Sequence, residues 1–439
     1  MQSAPTRAFR KKQVYVCVAL IFTVLLALPE RSSGYAVLTH EAVIDAEWKI
    51  SIRPLLLARF PHSTEDDLQK AQAYAYGGSI IQDLGYYPFG SKFFTDLVHY
   101  VRSADFVLAL LRDSRDIDEY AFALGALAHF TSDNDGHRIG INRIVPKLYP
   151  ELQKKYGDSV TYDEDPGAHL KTEFALDVVQ VAKRHYAPSE YHEYIGFEVS
   201  KDLLQRAFLE TYSLDMGSVF SDLDLSIATY RKSVSSLIPK ATKVAWQMKK
   251  GEIQKDLPGI TRRRFIYNLS RANFKKDWSA PYREPGCGTK LLLLLIRLIP
   301  KIGPFKALAF RLPSPADETL FMNSFNATVQ NYSSLIHAQE SSGKFSITND
   351  NLDTDTVTGP GQYPLADATY AELVDRLSKE KFAHITPELR SALLSYYSNL
   401  QADYATKKNK KKWNTRVRQI ESLKASSSAL NENPIAMMN

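Results

Sequence analysis

The side chains best suited to chemistry lie at the end of one apolar stretch, Ala121–His137. The stretch is apolar for eight residues, and His129, Asp133 and His137 then follow at four-residue intervals. Because four residues make slightly more than one helical turn, His129 and Asp133 share one helix face. A helix that is apolar nearly all round is normally buried, and a buried imidazole or carboxylate needs a partner. A metal ion would satisfy both groups, and Gly125, one turn earlier, lets an ion or another backbone approach closely.

Further imidazoles and carboxylates come from the same half of the chain. Asp165-Pro166 predicts a helix start, and His169 and Glu173 then lie one turn apart. The full set of candidates is His40, Asp83, His99, His129, Asp133, His137, His169 and Glu173. Taken singly, His99 or His129 is equally compatible with a core histidine, and Asp83 with a helix cap. Imidazole and carboxylate without thiolate suit Zn²⁺, and eight candidates exceed what one zinc ion needs.

The elements that must position these groups are predicted to be helices, because few runs alternate between apolar and polar residues. Thr39 is the predicted N-cap of the first helix, with Glu41 in its first turn. The helical stretches of this half are Thr39–Ile50, Asp66–Tyr76, Phe93–Leu111, Ile117–Ser132 and Val199–Lys249. The predicted fold is therefore mainly α, a multi-helix bundle with an additional helical C-terminal region.

The second half of the chain is predicted to divide into three segments after a helical domain at 35–245. Residues 246–315 are a basic and apolar insertion, 316–405 are C-terminal helices, and 406–439 are a basic, disordered tail. The helical pattern covers Ala316–Gln339 and Leu365–Tyr404, with a polar linker at Ser341–Gly361 between them.

Within the insertion, Lys290–Pro315 interleaves basic residues with Leu, Ile and Phe. It is too interrupted to span a bilayer, but this pattern suits contact with an anionic membrane surface. The alternative is a buried helix that Pro300 and Pro304 break.

The N-terminus predicts an export signal over residues 1–34. A basic start at Arg10–Lys12 precedes an apolar run, Val14–Leu28, which is short for a membrane span. The small residues Ser32 and Gly34 fit a cleavage site that leaves Tyr35 as the first mature residue. We therefore expect an exported protein, periplasmic or secreted, and an uncleaved membrane anchor is the alternative.

Composition and net charge exclude few classes of function. The formal net charge of +6 indicates an anionic partner without identifying it. Of the two cysteines, Cys17 lies inside the predicted signal and Cys287 remains, so no intrachain disulfide is expected after cleavage. Nothing in the sequence indicates an oligomeric state.

The order and spacing of the candidates resemble the zinc-dependent phospholipases C, over roughly residues 35–240. The pattern is His, Asp, His, His-x-x-x-Asp, His and His-x-x-x-Glu, supplied here by His40 through Glu173. Fungal single-strand-specific zinc nucleases share the superfamily, with Asp as the final carboxylate. The resemblance implies a helical bundle around three zinc ions, one of them bound by the mature N-terminal residue.

Position by position, the resemblance assigns each candidate a role. Tyr35 and His40 would hold one zinc ion, which Asp133 would bridge to a second ion held by His99 and His129. A third ion would take His137, His169 and Glu173. The interval between Asp133 and His137 is two residues shorter than the family pattern, so Asp135 is an alternative to His137.

The implied activity is hydrolysis of a phosphodiester. Clustered divalent ions neutralise phosphate charge and lower the pKa of bound water from about 15.7 towards about 7, with Asp83 as general base or water-orienting group. A phospholipid is the expected substrate, and Tyr86 and Tyr87 are candidates for binding it by cation–π contact or stacking. The alternatives are a nuclease for single-stranded nucleic acid and a non-catalytic, membrane-associated helical protein.

Overall fold

Helices account for nearly all regular structure in the described part of the chain. The computed structural model describes residues 36–183, 197–234, 310–398 and 410–431, together with 246, 250–251 and 254–255. The predicted signal, Tyr35 and most of the insertion at 246–315 lie outside these residues. None of the described helices has the length and hydropathy that crossing a membrane requires.

The first half of the chain contributes helices α1 to α11. They are α1 (Val37–Glu47), α2 (Arg53–Arg59), α3 (Glu65–Gly78), α4 (Lys92–Tyr100), α5 (Ser103–Asp113), α6 (Ile117–Asp135), α7 (Asn142–Leu148), α8 (Pro150–Tyr156), α9 (Pro166–Lys183), α10 (Lys201–Tyr212) and α11 (Leu223–Lys232). Two π-helical turns, Trp48–Ile52 and Gly136–Ile141, and two 3₁₀ turns, Ile81–Tyr86 and Met216–Ser218, connect some of them. The predicted mainly α fold is confirmed.

The described residues of the second half contribute four further helices to the same body. They are α12 (Pro315–Ser342), α13 (Pro364–Lys379), α14 (Pro387–Tyr396) and α15 (Lys410–Asn431). Helix α12 packs on α1 and α6, and α13 packs on α4 and α15. Buried apolar side chains form one continuous core from Leu38 to Leu423, so these helices share the core of the first half.

The predicted disordered tail at 406–439 is wrong over the residues that α15 occupies. Ile420 and Leu423 are fully buried in the common core. Their spacing of three residues places them on one helix face, and that apolar face outweighs the basic charge of the segment.

The central helix α6 follows the predicted stretch closely, and Glu119 through Asp135 are all buried. Asp116 caps its start by accepting a hydrogen bond from the Glu119 backbone. Glycines allow it to cross α3 at close range: a Cβ at Gly125 would lie 2.1 Å from the Ala75 carbonyl oxygen, and one at Gly78 would lie 2.0 Å from that of Phe122. The close approach expected at Gly125 is therefore to a backbone.

The start of α1 departs from the sequence-based expectation. Ala36 is the N-cap residue, not Thr39. The Leu38 and Thr39 backbone N–H groups donate to the Asp177 carboxylate at 2.8 and 3.1 Å, and the Thr39 hydroxyl donates to it as well. A carboxylate from α9 thus caps α1 across a separation of 138 residues, which local sequence patterns do not reveal.

The predicted single helix over Phe93–Leu111 is also wrong, because the structure divides it into α4 and α5. Arg102 adopts a left-handed backbone conformation with φ of 52° between them. Its guanidinium donates to the Thr211 carbonyl at 2.6 Å and bonds Asp105 at 2.6 Å. These contacts hold a conformation that non-glycine residues rarely adopt, and α4 ends directly after His99.

Candidate metal centre

His129 and Asp133 lie on the buried face of α6, as predicted. Both side chains are fully buried, and His129 Nε2 lies 3.2 Å from Asp133 Oδ2. Two ligand atoms that each lie about 2.0 Å from one tetrahedral zinc ion are about 3.3 Å apart. The helix therefore presents this pair at the separation that a shared zinc ion needs.

Helices α1 and α4 bring two more imidazoles to the same carboxylate. His99 Nε2 lies 3.2 Å from Asp133 Oδ2, whereas His40 Nε2 lies 3.6 Å from Asp133 Oδ1. The His40 ring stacks on His129 with centroids 4.4 Å apart. The two oxygens of Asp133 thus face different imidazoles, and this arrangement suits a carboxylate that bridges two ions.

Asp83 completes what we call the Asp133 cluster, which consists of His40, Asp83, His99, His129 and Asp133. Asp83 lies in the 3₁₀ turn between α3 and α4, and its Oδ1 is 3.5 Å from His99 Nε2. The ligand atoms of His40, His129 and Asp133 lie within 4.8 Å of one another, as do those of Asp83, His99 and His129. Either group could hold a metal ion.

The imidazoles of His99 and His129 are oriented by main-chain carbonyl oxygens. His99 Nδ1 lies 2.8 Å from the Thr95 oxygen, and His129 Nδ1 lies 2.9 Å from the Ser79 oxygen. A proton on each Nδ1 leaves Nε2 as the atom for a ligand bond. Such an outer acceptor is what metal-bound histidines almost always have.

A second group of predicted ligands comes from α9 and from the π-helical turn after α6. His169 Nδ1 lies 3.7 Å from Glu173 Oε1, while its Nε2 lies 2.7 Å from the Val160 oxygen. The His137 and His169 rings lie 5.6 Å apart by their centroids. His137 Nε2 and His169 Nδ1 are buried and have no hydrogen-bond partner, so each offers a nitrogen to an ion.

The alternative ligand Asp135 is engaged elsewhere. It accepts a hydrogen bond from Asn331 at 2.8 Å and lies 3.2 Å from the Arg138 guanidinium. His137 instead lies beside His169, in the π-helical turn Gly136–Ile141 that continues α6. The structure therefore favours His137 as the candidate, despite its shortened interval from Asp133.

Asp353, which the sequence analysis missed, also belongs to this group. It is buried in the segment between α12 and α13, and its Oδ1 lies 3.3 Å from His137 Nε2. We call His137, His169, Glu173 and Asp353 the His169 cluster. No spacing rule links Asp353 to residues 180 or more positions earlier, and its segment has the composition of a polar linker.

The carboxylates and imidazoles of the Asp133 cluster shift one another's pKa values. Burial by itself raises the pKa of the Asp133 carboxyl, but His129, His99 and His40 outweigh burial and hold the pKa well below its ordinary value. Burial likewise lowers the pKa of His99, and the Asp133 and Asp83 carboxylates outweigh that effect and raise it. Asp133 therefore stays ionised, as a metal ligand must.

The side-chain types of both clusters suit zinc, and among the described residues only the Asp133 cluster brings three ligand atoms within 4.8 Å of one another. Each cluster offers imidazole nitrogens and carboxylate oxygens in a buried setting, without thiolate, and these are zinc ligands of the common types. Tyr35, the predicted N-terminal ligand, lies outside the described residues, which begin just before α1. The structure thus brings the predicted residues His40, Asp83, His99, His129 and Asp133 together in one cluster and His137, His169 and Glu173 in the other, which Asp353 joins.

The candidate substrate residues Tyr86 and Tyr87 follow Asp83 in and just after its 3₁₀ turn, and both are partly exposed. The Tyr87 ring packs edge-on against Tyr230 at 5.0 Å, and that of Tyr86 lies 6.5 Å from Tyr162. Their position near Asp83 is compatible with substrate contact, and their role stays a prediction.

Comparison with known proteins finds one family model that matches part of the chain. The family model described as zinc-dependent phospholipase C matches residues 40–222, from His40 to the residue before α11. No curated protein and no solved structure matches the chain. Asp353 lies outside the matched segment.

Proposed function

We propose that the protein is an exported, zinc-dependent phosphodiester hydrolase of the phospholipase C type, on the premise that residues 40–222 match the zinc-dependent phospholipase C family model. The observation that carries the proposal is the convergence of three helices, α1, α4 and α6, and a 3₁₀ turn around Asp133, with three imidazoles directed at its two oxygens. Burial of so many ionisable groups is costly unless they are paired or bind a metal ion, and such groups cluster at functional sites.

The two clusters divide three proposed zinc ions between them. His40 and Asp133, with the predicted N-terminal Tyr35, would hold one ion, and His99, His129 and Asp133 a second. His137, His169 and Glu173 would hold the third. Bound zinc supplies two kinds of chemistry, neutralisation of phosphate charge and a lowered pKa of water.

Asp83 is the proposed general base or water-orienting group. Gln82 fixes its 3₁₀ turn by donating to the Ala126 carbonyl at 2.9 Å, and the Thr95 hydroxyl donates to the Gln82 carbonyl at 2.7 Å. The turn is therefore tied to both α6 and α4, the helices that carry His129 and His99. This anchoring would hold the Asp83 carboxylate beside the metal ligands during the reaction.

Tyr86 and Tyr87 are proposed to contact the substrate because they extend from the same turn. A cationic headgroup would bind the face of an aromatic ring, whereas a nucleobase would stack on it. The family match favours a phospholipid, and the final carboxylate, Glu173, agrees with the phospholipase pattern rather than the nuclease pattern.

The substrate test offers the purified chain two kinds of phosphodiester. Phosphatidylcholine or phosphatidylethanolamine vesicles are expected to release a phosphorylated headgroup and diacylglycerol, and single-stranded DNA is expected to stay intact. Asp83→Asn should reduce headgroup release by about 10²–10⁴-fold, the usual contribution of a general base. Asp66→Asn, at an exposed position in the first turn of α3, serves as the control with unchanged activity.

Other outcomes of this test would change the assignment. Cleavage of DNA alone would make the protein a nuclease of the same superfamily. Substoichiometric zinc after native purification, with Asp83→Asn indistinguishable from wild type, would support the non-catalytic, membrane-associated alternative.

Export is proposed from the N-terminal sequence. N-terminal sequencing of the chain recovered from its native source should begin at Tyr35. A chain that keeps residues 1–34 would instead support an uncleaved anchor, and it would remove the α-amino group from the proposed ligand set.

A further inference from the structure

Asp353 lies in the segment between α12 and α13, which is attached to the family domain at several points. The Leu352 backbone N–H donates to the His99 carbonyl at 3.2 Å, and the Ser103 hydroxyl donates to the Asp350 carbonyl at 2.6 Å. Asn142 Nδ2 donates to the carbonyl oxygen of Asp353 itself at 2.8 Å. The segment is therefore fixed against α4, which carries His99, and against α5 and α7, although it lies outside the family match.

The two oxygens of the Asp353 carboxylate have different surroundings. The Tyr100 hydroxyl donates to Oδ2 at 2.8 Å, and the Tyr363 hydroxyl donates to the same oxygen. Oδ1 instead faces His137 Nε2 at 3.3 Å. Both phenols thus hold the side chain by one oxygen and direct the other towards an imidazole.

The two ring nitrogens of His137 also have different surroundings, and one of them faces Asp353. Its Nδ1 lies 3.4 Å from Asn142 Oδ1, while its buried Nε2 has no hydrogen-bond partner. The separation of 3.3 Å between Nε2 and Oδ1 exceeds the roughly 2.7–2.9 Å of a charge-assisted hydrogen bond. It equals the roughly 3.3 Å expected for two ligand atoms on one tetrahedral zinc ion.

We propose that Asp353 is a further ligand of the metal ion held by His137, His169 and Glu173. The proposal rests on the proposed function, since it presumes that zinc binds the His169 cluster. Four protein ligands are typical of closed zinc sites, whereas catalytic sites keep one position open. The ion would accordingly tie the segment between α12 and α13 to α9, and the reaction would depend on the Asp133 cluster.

The first test measures zinc per chain at a series of free zinc concentrations set by a chelator. Asp353→Asn keeps an oxygen acceptor for Tyr100 and Tyr363 but removes the anionic ligand. It should weaken one zinc site by more than the 10–100-fold that loss of an outer hydrogen-bond partner costs. Asp355→Asn, two residues away and paired with Arg138 at the surface, is the matched control and should bind zinc as wild type does.

The second test detects direct ligation and does not depend on loss of binding. Asp353→Cys in the Co²⁺-loaded chain should show an ultraviolet thiolate-to-cobalt charge-transfer band. Wild type and Asp355→Cys should lack the band, and they also control for Cys287.

The outcomes separate this proposal from the proposed function. Wild type that binds zinc, together with an Asp353→Asn variant of unchanged zinc affinity and an Asp353→Cys variant without the band, would overturn the role of Asp353 alone. Wild type that binds no zinc would overturn both.

Discussion

The Asp133 cluster and the His169 cluster use the same side-chain types but are held in different ways. In the Asp133 cluster every residue comes from residues 40–222, which match the family model and are called the family segment here. The carbonyl oxygens of Thr95 and Ser79 orient the imidazoles of His99 and His129. In the His169 cluster, a main-chain oxygen orients His169, but the side chain of Asn142 faces His137. One carboxylate, Asp353, comes from outside the family segment.

This difference shows which parts of the site depend on the fold and which depend on individual side chains. A backbone carbonyl stays in place whatever residue carries it, so substitutions can disturb the Asp133 cluster only through its ligands or its helix packing. The His169 cluster can also lose an orienting group or a carboxylate through a single change far from α6 and α9. We therefore expect the two clusters to respond differently to matched substitutions.

The largest effect is expected from Asp133→Asn. The change removes the one carboxylate that faces three imidazoles among the described residues, so the Asp133 cluster should lose its zinc while the His169 cluster keeps its ion. Since a catalytic metal contributes several kcal/mol, activity should fall by at least about a thousandfold. Zinc analysis and headgroup release would measure both effects.

The matched control for this variant is Asp135→Asn on the same helix, whose carboxylate contacts Asn331 and Arg138. It should retain full zinc content. Loss of all zinc from Asp133→Asn, with the protein still folded, would contradict the independence of the two clusters.

Pairs of candidate ligands that share one helix could be predicted from the sequence, because helical spacing is a local property. His129 and Asp133, or His169 and Glu173, must share a face once the helix forms. Their order along the chain, together with His40, Asp83 and His99, indicates the family whose model matches residues 40–222.

The remaining features depend on tertiary contacts that no local pattern encodes. Asp353 is positioned in part by the phenol of Tyr100 and the amide of Asn142 on distant segments, and Asp177 caps α1 from α9. The break at Arg102 likewise depends on the carbonyl of Thr211. In each case a polar group is satisfied by a partner more than a hundred residues away, which periodicity does not reveal.

Asp177 lies between the two clusters, since it caps the helix of His40 and follows Glu173 by one turn. Burial is the main cause that raises the pKa of its carboxyl from 3.8 to about 7, against the hydrogen bonds from Thr39 and Leu38. An acid with a higher pKa in the folded chain keeps its proton longer there, so its cost to stability is absent below pH about 4 and complete above about 7.

We therefore expect the free energy of unfolding of wild type, relative to Asp177→Asn, to fall by roughly 4 kcal/mol between pH 4 and pH 7. Urea unfolding of the zinc-free chains at several pH values would measure it. Asp116→Asn, at the exposed cap of α6, is the control. A difference between wild type and Asp177→Asn that stays constant with pH would mean that Asp177 ionises normally in the fold.

Gly125→Ala tests the helix packing that supports the Asp133 cluster. The added methyl group would lie 2.1 Å from the Ala75 carbonyl oxygen, so α3 and α6 must separate. Overpacking of this kind costs about 1–3 kcal/mol, and the shift should move the Ser79 oxygen away from His129. Urea unfolding and zinc analysis should show lower stability and weaker zinc binding at the Asp133 cluster.

Gly359→Ala is the control for this change, because its Cβ would meet nothing closer than the Gln362 side chain at 3.7 Å. It should alter the free energy of unfolding by less than about 0.5 kcal/mol. If Gly125→Ala were equally mild, the close crossing of α3 and α6 would not be required by the cluster.

Asn142→Ala addresses the orienting side chain of the His169 cluster. The change removes the amide that faces His137 Nδ1 and that also donates to the Asp353 carbonyl. Loss of such an outer partner typically weakens metal binding by about 10–100-fold. Zinc affinity should therefore fall by this factor at one site, while the Asp133 cluster keeps the affinity of wild type.

Ser79→Ala is the matched change at the other cluster. It removes a buried hydroxyl that donates to the Tyr76 carbonyl but leaves the Ser79 carbonyl oxygen that orients His129. Because the main chain supplies the orienting group, zinc affinity should stay at the wild-type value. Equal losses of zinc affinity in Ser79→Ala and Asn142→Ala would show that main-chain and side-chain orientation do not distinguish the two clusters.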